Sequence, residues 1–176
     1  MKHFYLLVYY LFAQHLPMQP IPGYKFYYKI RYFLVKRIIH SCGKNVVVKN
    51  KCYFGNGSKL KIGDNSQLGQ NIRIGGTVNI GRHVMMGPDI VIMAITHDIS
   101  DLSKPMIDPS NPSIEDPVII GDNVWIGTRA IILPGVNIGS NSIIGSGAVV
   151  TKSFPENSIL GGVPAKLIKN RGNWER

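Results

Sequence analysis

The chain has 176 residues, a length typical of one domain, and its 20 Lys and Arg against 10 Asp and Glu give a formal net charge of +10. Its two cysteines, Cys42 and Cys52, are too few for a disulfide framework or a cysteine-rich zinc site, so we expect partly buried free thiols in a reducing cytoplasm. The charge is uneven, because residues 1–63 hold eleven Lys and Arg without one Asp or Glu, whereas residues 64–176 are nearly neutral.

We expect residues 1–43 to form a basic N-terminal segment with two helices. The first helix covers residues 1–16 and ends before a cluster of helix breakers, which are Pro17, Pro20, Pro22 and Gly23. Its apolar stretch Phe4–Phe12 is too short to span a bilayer, which takes about 20 residues, and no small-residue cleavage site follows it.

The second predicted helix is Tyr24–Ile39, and it is amphipathic. Lysines occupy one of its faces and apolar residues lie broadly on the other; these are Lys25, Lys29 and Lys36, and then Phe26, Ile30, Phe33 and Leu34. Two roles fit this pattern. The helix is either a cap that packs on the repeat region with its lysines in solvent, or a basic element that rests on an anionic membrane surface.

A six-residue repeat organises the rest of the chain, and it is interrupted once. Every sixth position is aliphatic or Met, in the series Ile62, Leu68, Ile74, Ile80, Met86 and Ile92, then Ile114, Ile120, Ile126, Ile132, Ile138, Ile144 and Val150. The residue two positions earlier is usually small or β-branched, and Val48, Phe54 and Leu60 extend this phase back into irregular opening coils. A fixed period of this kind is the signature of a solenoid.

The period fits short strands joined by tight corners, because it matches neither a helical turn nor simple alternation. Three residues after most aliphatic positions stands a residue that tolerates a positive φ, and these are Asn65, Asn71, Asp89, Asn123, Gly135, Asn141 and Gly147. His83 and Arg129 share this position and fit it less well. We therefore predict a stack of coils over residues 44–160, followed by a C-terminal tail of residues 161–176.

The repeat is interrupted between Ile92 and Ile114, where a spacing of 22 residues replaces one of six. The excess of sixteen corresponds to residues 98–113, which contain three prolines and are predicted to leave the stack as a loop. Because the phase resumes afterwards, we expect Thr96 before the loop and Ile114 after it to face the core. Loops that leave a rigid scaffold are where function concentrates.

This pattern resembles the hexapeptide-repeat acyltransferases over roughly residues 44–170. Ile120–Gly127 and Gly161–Lys166 resemble segments of the sugar and polysaccharide O-acetyltransferases, which include the maltose and galactoside acetyltransferases. The resemblance implies a mainly β fold, a left-handed parallel β-helix of hexapeptide repeats, here with an N-terminal helical segment and one inserted loop. We also expect a homotrimer, because the flat outer faces of a lone solenoid call for cover by other subunits.

By the same resemblance, His97 at the root of the loop is the general base. An imidazole there can take a proton from a sugar hydroxyl that attacks a thioester, and can then return the proton to the leaving thiolate. No covalent intermediate is needed, and no Ser or Cys stands in a nucleophile motif. The alternative for His97 is an exposed polar corner residue without a catalytic role.

Other site residues follow from the resemblance. Trp125 has the same outward phase as His97, and either lines a cleft between subunits together with Gln67 and Asp98 or packs one subunit on another. Six residues match positions that contact acetyl-CoA, the expected co-substrate, and these are Thr128, Ser146, Thr151, Lys152, Lys166 and Lys169. Relatives often carry Arg at the last two positions, and Lys meets phosphate as a point charge without the paired bonds of Arg. No metal is expected.

The leading hypothesis is acetyl transfer from acetyl-CoA to a hydroxyl of a sugar or surface-glycan intermediate. Gln67 replaces an Asn that contacts the acceptor in the sugar acetyltransferases, and the basic N-terminal segment differs from theirs. Both departures favour a lipid-carried glycan over a free sugar, with the enzyme in the cytoplasm and in peripheral contact with the inner face of the membrane. No nucleic acid is expected as a partner.

Three alternatives remain beside this hypothesis. The first is an N-acetyltransferase that acts on an amino sugar, since a histidine base also serves that reaction. The second is a non-catalytic β-helix scaffold, which would not need the inserted loop. The third is a γ-class carbonic anhydrase, which needs three histidines on zinc, whereas the coils contain only His83 and His97.

Overall fold

The computed structural model describes residues 1–173, and it consists of two α-helices followed by a parallel β-helix. Helix α1 is Lys2–Leu11 and helix α2 is Tyr24–Ile38, and 3-10 turns cover Ala13–His15 and Arg171–Asn173. The predicted fold class is therefore confirmed. Within residues 1–173, every helix is too short or too polar to cross a bilayer.

The β-helix has three faces, which each full coil visits in the order I, II and III. Face I stacks Ser41–Cys42, Leu60–Ile62, Val78–Ile80, Val118–Ile120 and Asn137–Ile138 in parallel. Face II stacks Val47–Val48, Gln67–Leu68, Met85–Met86, Trp125–Ile126, Ile143–Ile144 and Ser158–Gly162, and the antiparallel strand Ala165–Asn170 completes it. Face III stacks Arg73–Gly75, Val91–Met93, Ile131–Ile132 and Val149–Val150.

The aliphatic repeat positions form columns inside this prism. On face I, the register aligns Ile62 with Ile80, Ile80 with Ile120, and Ile120 with Ile138. All four side chains are buried. Apolar surface removed from water is worth roughly 25 cal/mol per Å², so each added coil lengthens the core and stabilises it.

The corners require positive φ, as predicted from their residues. Asn65 and Asn141 have φ values of 57° and 62°. The asparagines also bond between coils, since the amide of Asn123 donates to the side-chain oxygen of Asn141 at 2.9 Å. His83 and Arg129 adopt the same conformation, at φ values of 56° and 59°. The long side chain of Arg129 lacks the short polar group with which Asn hydrogen-bonds locally in this conformation.

The inserted segment leaves the stack earlier than predicted and returns to it later. Strand Ile95–His97 pairs antiparallel with strand Ser113–Glu115, and Thr96 lies opposite Ile114. Both of these side chains are exposed, so the expectation that Thr96 and Ile114 face the core is wrong. Ile114 has the right spacing, but its strand runs in the wrong direction to join the stack, and the core resumes at Val118.

Helices α1 and α2 pack on the first coils. Leu34 is buried and Ile30 is partly buried against the core, as the amphipathic pattern predicts. Phe26 and Phe33 depart from that pattern, because they are 64% and 51% exposed. The core-facing stripe of α2 is therefore shifted from the predicted one, and its buried residues are Arg31, Leu34, Val35 and Ile38.

Arg31 fastens α2 to the remainder of the chain. Its side chain is fully buried; Nε donates to the carbonyl oxygen of Val48 at 2.8 Å, and Nη1 donates to that of Leu16 at 2.9 Å. Burial lowers the pKa of this guanidinium. One of the eleven N-terminal cations therefore has a structural role and is not available at the surface.

Both cysteines are free thiols, as expected. Cys52 is fully buried, more than predicted, and Cys42 is half-buried. Burial raises the pKa of Cys52 to about 12 and that of Cys42 to about 11, which makes both thiols poor nucleophiles at neutral pH.

The corner conformation leads to a stability prediction. Arg129→Asn should raise the free energy of unfolding by about 0.5–1 kcal/mol, because Asn tolerates a left-handed backbone better than Arg. The same substitution removes the ion pair between Arg129 and Asp89, but this costs little stability because the pair spans 3.9 Å between exposed groups. Asn141→Ala, the matched change at another corner, should lower the free energy of unfolding by about 1–2 kcal/mol. It introduces strain at the corner and removes the hydrogen bond from Asn123. Urea unfolding measures both, and equal midpoints for both variants would contradict the assignment of strain.

Candidate active site

His97 stands at the base of the inserted loop, on the two-stranded ribbon of Ile95–His97 and Ser113–Glu115. The ribbon leaves the β-helix at the corner between faces III and I, and the Asp98 N–H closes it by donating to the carbonyl oxygen of Pro112 at 3.1 Å. The His97 side chain is exposed and has no hydrogen-bond or ion-pair partner within the described residues. An imidazole so placed can reach a ligand outside the core.

The ribbon is tied to the coils through Glu115. Its carboxylate accepts a hydrogen bond from the Thr77 hydroxyl at 2.6 Å and pairs with the Lys59 ammonium. These two contacts, with that of Lys59 the larger, hold the pKa of Glu115 below its usual range. No local sequence pattern marks Glu115 as a site residue, because its partners lie 38 and 56 residues away.

Asp98 is turned into the loop. Its carboxylate accepts a hydrogen bond from the backbone N–H of Ser100 at 2.9 Å, and the hydrogen bonds of Ser100 hold the pKa of Asp98 below its usual range. The carboxylate of Asp98 therefore shapes the start of the loop, and it makes no hydrogen bond to His97 within the described residues.

Trp125 lies on the outer surface of face II, as its phase predicts, and is 48% exposed. Its register partners are Met85 and Ile143. A cavity of ≈ 290 Å³ beside the indole is also lined by His83 and Arg171. Trp125 is thus a surface residue that lines a cavity, and it is not part of the core.

Gln67 belongs to face II as well, on the strand next to Met85–Met86. Its side-chain amide donates to the carbonyl oxygen of Met86 at 3.2 Å. Gln67 and Trp125 therefore lie on the same face of the prism. His97 lies on another part of it. In a triangular prism, the corner that carries the His97 ribbon lies opposite face II, so one chain does not bring these residues together.

Three of the six residues matched to acetyl-CoA contacts lie along one edge, the corner between faces II and III. Thr128 and Ser146 occupy equivalent places in successive coils, where the Gly147 N–H donates to the carbonyl oxygen of Thr128 at 2.8 Å. Lys166 joins them in the last coil, opposite Gly161 in the antiparallel pair. Hydroxyls and backbone amides beside an ammonium suit a ligand that has amide groups and phosphates.

The other three matched residues lie elsewhere in the chain. Thr151 and Lys152 follow strand Val149–Val150 at the corner between faces III and I, the corner that also carries His97. The Lys152 ammonium lies 5.7 Å from the centre of the Phe154 ring. Lys169 lies opposite Ile159 on face II.

No group of three His, Cys, Asp or Glu side chains in residues 1–173 is arranged to hold a metal ion. The two histidines of the coils are separated, with His83 at a corner beside face II and His97 on the ribbon.

The Glu115 contacts lead to a prediction about the loop. Glu115→Gln should raise the rate of limited proteolysis within residues 98–112, because the neutral amide loses its pairing with Lys59. Thermal melting of the β-helix should stay the same, since the ribbon lies outside the core. Glu156→Gln, which changes an exposed carboxylate elsewhere, is the matched control.

The rate of proteolysis within the loop should also depend on pH, because Glu115 titrates. Because the pKa of Glu115 is lowered in the folded chain, its stabilisation is complete above the ordinary pKa of glutamate and is lost as the pH falls through the lowered value. In acid, wild type should approach the cutting rate of the variant. Equal cutting of wild type and variant at neutral pH would show that Glu115 does not hold the loop.

Known proteins share this architecture. The bacterial transferase hexapeptide family (six repeats) matches residues 117–152. The galactoside O-acetyltransferase of Escherichia coli (strain K12) is 37% identical over 139 residues, which cover 77% of this chain and 66% of the relative. The chain thus spans about two thirds of that relative's length.

Solved structures agree with the sequence comparison. A galactoside acetyltransferase in complex with coenzyme A superimposes with a TM-score of 0.81 and 31% identity, covering 97% of this chain and 80% of that one. A mutant of AntD, an N-acyltransferase from Bacillus cereus in complex with dTDP-4-amino-4,6-dideoxyglucose and coenzyme A, gives 0.64 and 26%, covering 82% and 88%. Since repeat, fold and relatives all agree, the chain belongs to the hexapeptide-repeat acyltransferases.

Proposed function

We propose that the chain transfers acetyl from acetyl-CoA to a hydroxyl of a sugar or surface glycan, with His97 as general base. The observation that carries this proposal is the placement of His97, exposed on a ribbon that Glu115 fixes to a rigid scaffold. The similarity to a galactoside O-acetyltransferase and to a coenzyme A complex supports the choice of acceptor and donor.

In the proposed reaction, the His97 imidazole accepts the proton of the acceptor hydroxyl while its oxygen attacks the thioester carbonyl. The tetrahedral intermediate collapses by breaking the carbon–sulfur bond, and the imidazolium returns the proton to the thiolate. The products are an O-acetyl sugar and coenzyme A. The ribbon contributes by fixing the position of the base, because a mobile imidazole would give up much of the rate acceleration that comes from orientation.

Donor binding is assigned to the residues that match the family. Thr128 and Ser146 supply hydroxyls and backbone amides along one edge, where they suit the amide groups of the pantetheine arm. Lys166 and Lys169 near the C-terminus, with Thr151 and Lys152 at the neighbouring corner, suit the phosphates of the nucleotide. Their ammonium groups act as point charges and leave the phosphate orientation to the other contacts.

The working assembly is proposed to be a homotrimer with its sites between subunits. His97 leaves one corner of the prism, whereas Trp125 and Gln67 lie on the face opposite that corner. A cleft lined by all three therefore requires His97 from one copy and face II from a second. Exposed apolar side chains on face II, Met85 and Trp125 among them, are consistent with cover by another subunit.

The acceptor is proposed to be a glycan intermediate on a lipid carrier, modified in the cytoplasm. An amino sugar is the second candidate, and the observation that favours it is the similarity to AntD, an N-acyltransferase bound to an amino-sugar nucleotide. The imidazole of His97 could take a proton from either kind of nucleophile. A panel of matched hydroxy and amino sugars, assayed by coenzyme A release, distinguishes the two.

The proposed role of His97 as the general base can be tested by substitution. His97→Ala should lower kcat by about 10²–10⁴-fold, the usual contribution of a positioned base. Coenzyme A affinity by calorimetry and the melting temperature should not change, because the side chain has no partner in the described chain. His40→Gln, which changes an exposed histidine near the N-terminal helices, is the control. Turnover close to wild type in His97→Ala would place the base elsewhere.

The proposed trimer can be tested by its mass and by mixing two variants. Light scattering should give the mass of three chains of 19.5 kDa each. Trp125→Ala should reduce activity, and mixing it with His97→Ala under conditions of subunit exchange should restore part of the activity, since hybrid trimers contain one intact cleft. A fully active monomer, or mixtures no more active than their parts, would contradict sites shared between subunits.

A further inference from the structure

The outer side of the two N-terminal helices exposes a mixture of apolar and cationic side chains. On α2, the spacing of Phe26, Lys29, Phe33 and Lys36 places them along one stripe, and Arg37 adjoins it. On α1, Phe4, Leu7 and Leu11 form a second stripe, away from the buried Tyr9. We call these eight residues the aromatic–basic face.

Helix α1 meets the α2 stripe through Tyr5, whose ring also contacts that of Phe4. The rings of Tyr5 on α1 and Phe33 on α2 are 6.4 Å apart and edge to face. The Arg37 guanidinium lies 3.6 Å from the centre of the Phe33 ring and 5.6 Å from that of Tyr5. A shallow groove of ≈ 590 Å³ beside them is lined by Lys29, Tyr32, Phe33, Lys36 and Arg37.

This surface is strongly apolar for one open to water. Phe4 and Phe26 are 65% and 64% exposed, and Leu7 and Leu11 are also more than half exposed. A cluster of exposed apolar side chains indicates a surface that contacts a partner or a membrane. The repeat does not account for them, because they lie outside the coils.

The charge of the surface is of one sign. Residues 1–63 contain no Asp or Glu, and every ion pair recorded within residues 1–173 lies outside the two helices. Lys29, Lys36 and Arg37 therefore form no ion pair with a carboxylate of residues 1–173. A partner that matches both properties must present negative charge beside an apolar interior.

We propose that the aromatic–basic face docks on the surface of an anionic phospholipid bilayer. The lipid phosphates meet the three cations, and the stripe of α1 with Phe26 enters the boundary between headgroups and acyl chains. Nucleic acid satisfies the charge but leaves the aliphatic stripe of α1 without a partner. This role is separate from acetyl transfer and does not depend on it.

The helices are held firmly enough to carry the β-helix with them. The Tyr9 hydroxyl donates to the carbonyl oxygen of Cys52 at 3.0 Å, and the Tyr10 hydroxyl donates to that of Gly55 at 2.8 Å. With the buried Arg31, these bonds join α1 and α2 to the first coils. Docking of the helices therefore also fixes the position of the prism relative to the lipid surface.

Vesicle flotation with the full chain tests the proposal. At low salt, wild type should float with vesicles of phosphatidylcholine and phosphatidylglycerol, should float much less with pure phosphatidylcholine, and should be released as salt screens the charges. A cation near anionic lipid strengthens binding about five-fold, so the double variant Lys29→Gln, Lys36→Gln should bind roughly twenty-five-fold more weakly per chain. Leu7→Gln with Phe26→Gln should also weaken binding.

The double variant Lys61→Gln, Arg82→Gln is the matched control, since it removes two exposed cations from the β-helix. Absence of wild-type binding at low salt, or equal weakening by the control, would overturn the proposal. So would a helix variant that loses oligomer mass and melts earlier with unchanged flotation, because the face would then join copies of this chain. Tighter binding to single-stranded RNA than to vesicles would assign the face to nucleic acid instead.

Discussion

The coil-to-coil register of the inward aliphatic columns is the constraint on which the rest of the structure depends. Most strands of the stack have two or three residues, too few to be stable alone, so the free energy comes from stacking between coils. A slip of one residue would turn a column toward solvent. The register is kept even where a corner is strained, since Arg129 remains in the left-handed region although its side chain does not favour it.

The same constraint determines where an insertion can enter. Ile62 and Ile80 are register partners 18 residues apart, whereas Ile80 and Ile120 are partners 40 residues apart. The additional residues leave from one corner and return without disturbing the column. His97 is thereby fixed by the scaffold but exposed outside its core, which is what a base for an external acceptor requires. Its support is polar, through Glu115, because a ribbon outside the stack has no core to pack on.

Much of the scaffold could be predicted because its information is local and periodic. Aliphatic spacing identified the columns, and Asn, Asp and Gly marked the corners. Spacing says nothing about strand direction, which is why Ile114 matched the period and yet lies in an antiparallel ribbon. Helical periodicity likewise could not show that Arg31 is buried and Phe33 exposed, since the carbonyl groups that receive Arg31 come from distant segments. The role of Glu115 could not be predicted for the same reason, because its two partners come from other coils.

The two ends of the molecule differ in chemistry, and the columns connect them. Cations and exposed apolar groups are concentrated on α1 and α2 beside the first coils, whereas Thr128, Ser146 and Lys166 lie in later coils. Because the stack is continuous and Arg31 and Tyr9 fasten the helices to it, the distance between the two ends is fixed. A chain held at a lipid surface through its helices therefore presents His97 at a set height above that surface. For an acceptor carried on a lipid, this replaces a search in three dimensions by an encounter at raised effective concentration.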